Sequence, residues 1–298
     1  MSKFSLQPED GTVQNGDTRG DDSTDLQVAR ASANQVASGY ASVLIGGYSN
    51  EASGSYSAAF GANNISAGTS SLAIGYNTQA LGDYTLSGGI LSEARAQASA
   101  CLGGECITEG VGSTLLFAQN GKTESSAPAS MGAGTDVRTY LPMQLAYAGG
   151  NFSVRGDAQH SQYVAKAATF NQAGVQPFAL VIGKGTTIPL AITDTNRVWS
   201  VVVDFVMVCN DAGSAVGLTT GEVYKVQKSF FFKVVGGSSS ISSIDSYNEQ
   251  SDANMGGASL TVSTGPGNTL ALVATTPVAS NVSDFRAMAH VSISEIAW

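Results

Sequence analysis

Between residues 36 and 117, larger apolar and small residues alternate along the chain, and the pattern returns about every 14 residues. Leu72 and Ile74, for example, alternate with Ala73 and Gly75, which is the period-two pattern of a β-strand. Fourteen residues are too few for two packed helices, because each helix needs about ten residues or more. They fit one coil of a β-solenoid, which is built from two short strands and two tight turns.

Columns of equivalent residues recur at this spacing and define six coils. The first column is glycine in five of the six coils. Its members are Gly39, Gly54, Gly68, Gly82 and Gly110, with Ala96 in the fifth coil. A hydroxyl residue stands three positions later in every coil, at Ser42, Ser57, Ser71, Thr85, Ser99 and Ser113. A second glycine column contains Gly46, Gly61, Gly75, Gly89 and Gly103, and it fails only at Phe117.

These columns predict how the coils stack. We expect Val43, Leu72 and Ile74 in the apolar core columns, the hydroxyl residues in a ladder, and glycine where the turns need a positive φ. No proline occurs between Pro8 and Pro128, which fits a ladder of backbone hydrogen bonds. Six coils at an inter-strand spacing of about 4.8 Å predict a shaft of roughly 30 Å.

The segment Ser71–Gly75 reads Ser-Leu-Ala-Ile-Gly, with Ala67-Gly68 before it and Ala80 after it. It resembles the head repeat of trimeric autotransporter adhesins, which also occurs in bacteriophage fibre proteins. The segment that leads into such repeats in phage fibres is similar to Arg19-Gly20, Asp25–Gln27, Arg30 and Gln35–Gly39. The resemblance covers residues 17–117 and implies a left-handed parallel β-roll that works as a homotrimer.

Residues 118–150 interrupt the repeat with turn-forming residues such as Asn120-Gly121 and Pro128, and they predict a linker. The region beyond them returns to period-two alternation. Strands are predicted around Trp199–Cys209, Tyr224–Val234, Ala258–Val262, Leu270–Leu272 and Ala289–Ile293. Many strands separated by turns, without a helical pattern, predict a β-sandwich or jelly roll. The segments Phe152–Gln159 and Val291–Ile296 also resemble a C-terminal β domain of phage fibres.

The predicted fold is therefore all-β, with four parts. We expect a virion-attachment segment in residues 1–30, a β-roll shaft in 31–117, a linker or neck in 118–150, and a β-sandwich or jelly-roll knob in 151–298. Assembly into a homotrimer would bury small apolar residues of the shaft, such as Ala58-Ala59 and Ala98, that few charges keep in contact with water.

Composition and charge narrow the function classes. Charged residues are 12% of 298, and 14 basic against 23 acidic residues give a net charge of −9. Such a chain has no electrostatic attraction for phosphate backbones or anionic lipid, so we expect neither nucleic-acid binding nor membrane insertion. Met1–Gly11 lacks the apolar run of a signal peptide. The most apolar run, Val198–Cys209, is short and contains Asp204, so no membrane-spanning helix is expected.

Few residues suggest catalysis. The two histidines, His160 and His290, stand outside any zinc-protease motif or nucleophile elbow. Paired carboxylates would mark a glycosidase, but Asp21-Asp22 lies in the lead segment and Asp204 faces out of a predicted strand. We therefore expect no enzyme, no catalytic residue, no cofactor and no metal.

Three other features have a structural and a functional interpretation. Cys101 and Cys106 could form a metal or redox pair, but we favour small core residues, because three cysteines suit a reducing cytosol. Arg-Gly-Asp occurs at 19–21 and 155–157, inside segments that we assign to the fold. Tyrosines recur near the coil turns, where edge packing is favoured over a sugar-binding stripe: Tyr40, Tyr48, Tyr56, Tyr76 and Tyr84.

The sequence thus favours a trimeric structural fibre of a bacteriophage virion, most simply a tail fibre that adheres to the host surface. A capsid-mounted head fibre or decoration protein is the alternative. A cellular trimeric adhesin is less favoured, because it would need a signal peptide. We expect the N-terminal segment to bind a tail hub, adaptor or capsid. The polar loops Gly236–Ala253 and Gly265–Asn268 are expected to meet a host-surface glycan or protein without cleaving it.

Overall fold

The computed structural model divides the chain into two compact units, residues 1–156 and residues 157–298. The structure describes residues 4–5, 11–12, 16–151, 155–172, 177–182, 190–191, 196–213, 218–265, 267–277 and 283–297. Every regular element within these residues is a β-strand, so the all-β prediction is confirmed for the described part of the chain. Phe152, which contributes to the resemblance of the C-terminal region, lies outside it.

The first unit is a parallel β-solenoid. Its first sheet runs in the order β1-β2-β3-β5-β7-β9-β11-β13-β15-β17, and the short strands from β4 to β16 form a second sheet. The strands are β1 (Phe4–Ser5), β2 (Thr24–Leu26), β3 (Val43–Tyr48), β4 (Glu51–Ala52), β5 (Ala58–Ala62), β6 (Ile65–Ser66), β7 (Leu72–Tyr76), β8 (Gln79–Ala80), β9 (Leu86–Ile90), β10 (Glu93–Ala94), β11 (Ala100–Gly104), β12 (Ile107–Thr108), β13 (Thr114–Gln119), β14 (Lys122–Thr123), β15 (Met131–Thr135), β16 (Arg138–Thr139) and β17 (Leu145–Gly149).

The register of the first sheet confirms the predicted period. Leu72 pairs with Ala58 on one side and with Leu86 on the other, each 14 residues away. The two glycine columns explain how coils approach so closely. A Cβ added to Gly68 would lie 1.9 Å from the carbonyl oxygen of Gly82, and one added to Gly75 would lie 2.0 Å from that of Gly89. Glycine is required there because the backbone of the next coil occupies the space.

The solenoid is longer than predicted at both ends. β2 lies in the expected attachment segment and pairs with β3, while β15, β16 and β17 lie in the expected linker and continue the ladder. Met131 pairs with Thr114, 17 residues earlier. Turn residues such as Pro128 therefore enlarge the turns of a coil without ending the stack.

In the first sheet of the solenoid, the side chains that we expected to point inward point outward, and those that we expected to point outward point inward. Leu44, Ala59 and Ala73 are fully buried, whereas Leu72 is half-buried and Ile74 is 43% exposed. The predicted core columns at Val43, Leu72 and Ile74 are therefore wrong. Successive side chains of a strand alternate between faces, so only one of the two sets can face inward. The inward positions of β5 and β7 hold alanine, which indicates a narrow coil interior.

The hydroxyl column is buried, as a core position would be, but four of its six members bond within their own coil. Ser71 Oγ donates to the carbonyl oxygen of Gly68 at 2.6 Å, and Thr85 Oγ1 donates to that of Gly82 at 2.7 Å. Ser42 and Ser99 close the turn three residues before them in the same way, whereas Ser113 Oγ donates to Ala127 O of the next coil at 2.8 Å. Between coils the polar ladder is formed by asparagine instead, where Asn64 Nδ2 donates to Gly75 O at 2.8 Å and Asn64 Oδ1 accepts from the backbone N of Thr78 at 2.9 Å.

The second unit contains antiparallel strands. They are β18 (Ala158–Gln172), β19 (Pro177–Ala179), β20 (Val181–Ile182), β21 (Leu190–Ala191), β22 (Arg197–Asp211), β23 (Val223–Val235), β24 (Ser238–Ser251), β25 (Ser259–Gly265), β26 (Thr269–Thr275) and β27 (Ser283–Ala297). One sheet has the order β18-β27-β22-β23-β24, with β20 paired to β18, and β26 pairs with β19, β21 and β25 in another. The predicted alternation is confirmed, because Trp199, Phe205, Phe230 and Phe232 are buried.

Candidate functional site

The outward side of the solenoid's first sheet is an apolar surface, which we call the apolar face. Ladder partners place its residues in two columns that run from β3 to β17. They are Val43, Ala58, Leu72, Leu86, Ala100, Thr114, Met131 and Leu145, and Ile45, Phe60, Ile74, Gly88, Leu102, Leu116, Ala133 and Tyr147. Exposure reaches 46% at Ile45 and 48% at Tyr147. An exposed apolar surface of this kind marks an interaction site.

A hollow interrupts the apolar face at β9. Its volume is about 390 Å³. Its lining consists of Ile74, Leu86, Gly88, Gly89, Leu102, Gly103 and Phe117. The hollow exists because Gly88 is the one residue of its column without a side chain. Phe117 is an extra residue, since the ladder pairs Leu102 with Leu116 but Gly103 with Ala118. This bulge explains why the second glycine column fails at Phe117, which is 88% exposed.

The second sheet of the solenoid carries a ladder of alternating charges. Glu109 accepts from Arg95 at 2.9 Å and from Lys122 at 3.1 Å. Glu124 in turn contacts Lys122 at 3.0 Å and Arg138 at 2.9 Å. Burial alone would raise the pKa of Glu124, but Lys122 and Arg138 together lower it. Burial likewise opposes the charge on Lys122, yet its two glutamate partners raise its pKa. These compensated charges suit a solvated surface.

The Arg-Gly-Asp segment at 19–21 is part of the fold. Asp25 Oδ2 accepts from Arg19 Nε at 3.0 Å and from Arg30 at 2.7 Å, and all three side chains are at most 1% exposed. The segment that resembles the lead of phage fibre repeats therefore buries an ionic cluster at the first coils. In the second Arg-Gly-Asp segment, Arg155 donates to Asn120 Oδ1 and Asp157 is buried. Neither segment offers its arginine and aspartate together to a partner.

Cys101 and Cys106 form a disulfide in the structure, with their Cα atoms 6.2 Å apart. Both side chains are fully buried. Their burial agrees with the interpretation as core residues, but the bond between them was not expected. The third cysteine, Cys209, is free and buried. Burial raises the pKa of its thiol, and the charges of Glu222, Asp211 and Asp284 act in the same direction.

The histidines lie on the outward side of the β18-β27-β22 sheet. His160 Nδ1 is 3.3 Å from Ser294 Oγ, and its Nε2 is 3.2 Å from Ser292 Oγ. His290 is exposed and pairs in the ladder with Asp204. Asp204 accepts from Gln227 Nε2 at 2.6 Å. In the part of the chain that the structure describes, no group of three or more His, Cys, Asp or Glu residues could hold a metal ion.

Sequence reasoning missed a buried polar cluster around Glu295. This carboxylate accepts from Arg197, from Trp199 Nε1 at 3.0 Å and from Gln159 Nε2 at 3.4 Å. Glu295 is 2% exposed. The alternation Val291, Ile293, Glu295 was the available signal, because it places a charge at an inward position. Three donors surround this buried carboxylate, which gives it a structural role.

The tyrosines do not form a continuous stripe. The rings of Tyr40 and Tyr56 meet edge to face at 5.4 Å. In the coil after Tyr56, the equivalent turn position holds Ser70. In the following coil it holds Tyr84, which is 61% exposed. The contact between Tyr40 and Tyr56 is the edge packing that we favoured.

The expected receptor loops have a different structure. Most of Gly236–Ala253 is β24, which pairs with β23 at the end of its sheet. Ser243 and Asn248 have φ of 55° and 54°, and the register shifts twice along this pair. Such bulges protect an edge strand from further pairing. The second loop, Gly265–Asn268, connects β25 to β26. Exposed polar side chains are therefore presented on a strand rather than a loop.

Comparisons with known proteins found distant matches among solved structures alone. No protein-family model matches the sequence, and no curated protein matches it. Among solved structures, the tailspike of Acinetobacter phage vB_ApiP_P1 matches at 14% identity and a TM-score of 0.26, over 86% of this chain and 51% of that one. The tailspike of Acinetobacter baumannii phage AM24 matches at 8% identity and a TM-score of 0.26, over 94% and 57%. The chain spans about half the length of these tailspikes.

A third match corrects one expectation. The tailspike gp49 of Acinetobacter baumannii bacteriophage Fri1 is described as a capsular polysaccharide depolymerase, and it matches at 12% identity and a TM-score of 0.21, over 98% of this chain and 52% of that one. Because that protein is an enzyme, the expectation that this chain is not one is contradicted, and we withdraw it. A TM-score of this size assigns no reaction to this chain, and we name no catalytic residue. No helix in the described residues is long and apolar enough to span a membrane.

Proposed function

We propose that the chain is a component of a bacteriophage tail fibre or tailspike, assembled as a homotrimer through the apolar face. The observation that carries the proposal is the double column of outward residues along eight rungs, from β3 to β17, which is apolar except at Gly88 and Thr114. Eight rungs at about 4.8 Å give a surface roughly 34 Å tall, and five-residue strands give it a width of about 17 Å. A projected footprint near 600 Å² is on the order of what one partner contributes to a stable interface.

We further propose that the second unit meets a polysaccharide or protein of the host surface. The cations on the outward side of its large sheet support this role. Lys166, Lys225, Lys233 and Arg286 form no ion pair within the described residues, whereas those of the solenoid's second sheet do. The β-sandwich or jelly-roll arrangement of this unit and virion attachment through the N-terminal region belong to the same proposal.

Labelling the chain in virions tests the proposal. Antibody-gold electron microscopy should place it on the phage tail, and purified chain should compete with phage for adsorption to host cells. Incubation with purified capsular polysaccharide, followed by size-exclusion chromatography, measures binding and chain shortening in one experiment. Gold on the capsid would favour the head-fibre alternative. Absence of both competition and polysaccharide binding would contradict an adhesive role.

A further inference from the structure

The hollow at Gly88 and the exposed Phe117 are the two most pronounced irregularities of the apolar face. At Gly88 the column has no side chain, whereas the preceding rung holds Ile74 and the following rung holds Leu102. Phe117 adds a side chain that the ladder does not need, and it is 88% exposed. A missing side chain and a surplus aromatic ring therefore occur on one surface, within a few rungs of each other.

We propose that the hollow at Gly88 is the socket for Phe117 of a second copy of this chain, an inference that rests on the proposed trimer. The volume of about 390 Å³ exceeds the roughly 150 Å³ of a cavity that already accommodates benzene. The lining is almost wholly apolar, from Ile74, Leu86 and Leu102. Burying an exposed phenyl ring there removes two apolar surfaces from water together.

Symmetry fixes the height of the second copy's Phe117 relative to the hollow. A rotation about an axis parallel to the solenoid leaves every residue at its own height along the stack. Phe117 of a neighbouring copy therefore stands level with the Phe117 that forms part of the rim of the hollow. Gly88 lies in β9, two rungs or about 10 Å from Phe117 in β13, so the second copy's ring enters the hollow from its rim, which the Phe117 of the same chain also lines.

Two variants test the socket from opposite sides. Phe117→Ala removes the ring. Gly88→Leu fills the hollow from within the same chain. Its backbone permits this, because an added Cβ meets the flexible end of Leu102 at 2.8 Å and the carbonyl oxygen of Ile74 at an ordinary 3.8 Å. The neighbouring Gly89 could not be used, since its Cβ would lie 1.9 Å from a backbone oxygen of the next coil. Val111→Ala is the matched control, because Val111 is 53% exposed in a turn outside the two columns.

Light scattering over a dilution series measures association, and circular dichroism verifies that each full-length variant keeps its β structure. We expect Phe117→Ala and Gly88→Leu to raise the dissociation concentration by about tenfold or more, and Val111→Ala to leave it unchanged. A trimeric wild type with wild-type association in either socket variant overturns the socket and leaves the proposed trimer in place. A wild type that is monomeric at every concentration overturns the trimer as well.

Discussion

The two units of the chain use opposite means to specify a β structure. The solenoid has an interior of small residues, such as Ala59 and Ala73, and its coils are held by backbone pairing at a fixed spacing. The C-terminal unit has strands of up to 15 residues around large side chains such as Trp199 and Phe232, whose rings lie 5.6 Å apart. The solenoid requires positions without a side chain between its coils, whereas the C-terminal unit requires large buried side chains. Different substitutions should therefore damage each unit.

The largest effect is expected from a single methyl group in the solenoid. Gly68→Ala would place a Cβ 1.9 Å from the carbonyl oxygen of Gly82, and because that neighbour is backbone the coils must separate. We expect loss of the cooperative unfolding transition of the solenoid, measured by circular dichroism. Gly149→Ala and Gly256→Ala are the controls, because nothing lies within 4 Å of either added Cβ. Wild-type stability of Gly68→Ala would contradict the close stacking of coils.

Loss of a large buried side chain, rather than gain of a methyl group, should damage the C-terminal unit. Phe232 is fully buried, and its truncation to alanine removes packing against Trp199 and leaves a cavity, at a cost of about 3–5 kcal/mol. Denaturant unfolding followed by tryptophan fluorescence measures this loss. Phe231→Ala is the control, since Phe231 lies on the same strand with 42% of its surface exposed. Equal effects of the two variants would contradict the assigned inward face of β23.

A local effect is expected at the first coils. Asp25→Asn removes the charge that neutralises Arg19 and Arg30 in a buried site, and breaking such a cluster costs about 3–5 kcal/mol. Hydrogen exchange should accelerate in β2 and β3 and remain unchanged in β15 and β17. A solenoid whose exchange rises uniformly would show instead that the stack opens as one cooperative unit.

The smallest effect concerns the charge ladder of the second sheet. The pKa of Glu124 is lowered by its partners below the ordinary 4.5, so its contribution is complete above that pH and is lost as the pH falls through the lowered value. The pKa of Lys122 is raised above 10.5, so its contribution is lost as the pH rises. Each exposed pair contributes about 0.5 kcal/mol. Glu124→Gln should therefore lower stability slightly at pH 7 and flatten the acid dependence, whereas Glu51→Gln serves as a control.

The period and the strands of both units could be predicted from the sequence, because period-two alternation and recurring glycine are local signals. The direction of the solenoid side chains could not. Leu72 and Ile74 are more apolar than Ala73, so the pattern placed them inside, but in this coil the inward position holds the smaller residue. Their apolar surface suits burial by another copy, which a single sequence does not display.

Three further differences between the sequence predictions and the structure have local causes. Residues 118–150 contain turn signals, and a coil can absorb longer turns without losing its ladder. The β24 strand carries almost no apolar residues, because both of its faces are exposed, so it lacks the alternation by which a strand is recognised. The buried Glu295 was visible only as a charge at an inward position of an otherwise apolar series.

The mass of the native assembly tests most directly whether the apolar face is a contact between copies of the chain. Light scattering of the purified full-length chain should give about 91 kDa, three times the 30.3 kDa of one chain. The double variant Leu72→Asp and Ile74→Asp, which places two charges on that face without altering the inward Ala73, should give 30.3 kDa with β structure retained. A wild-type mass of 30.3 kDa, or a trimer that survives both charges, would contradict the account.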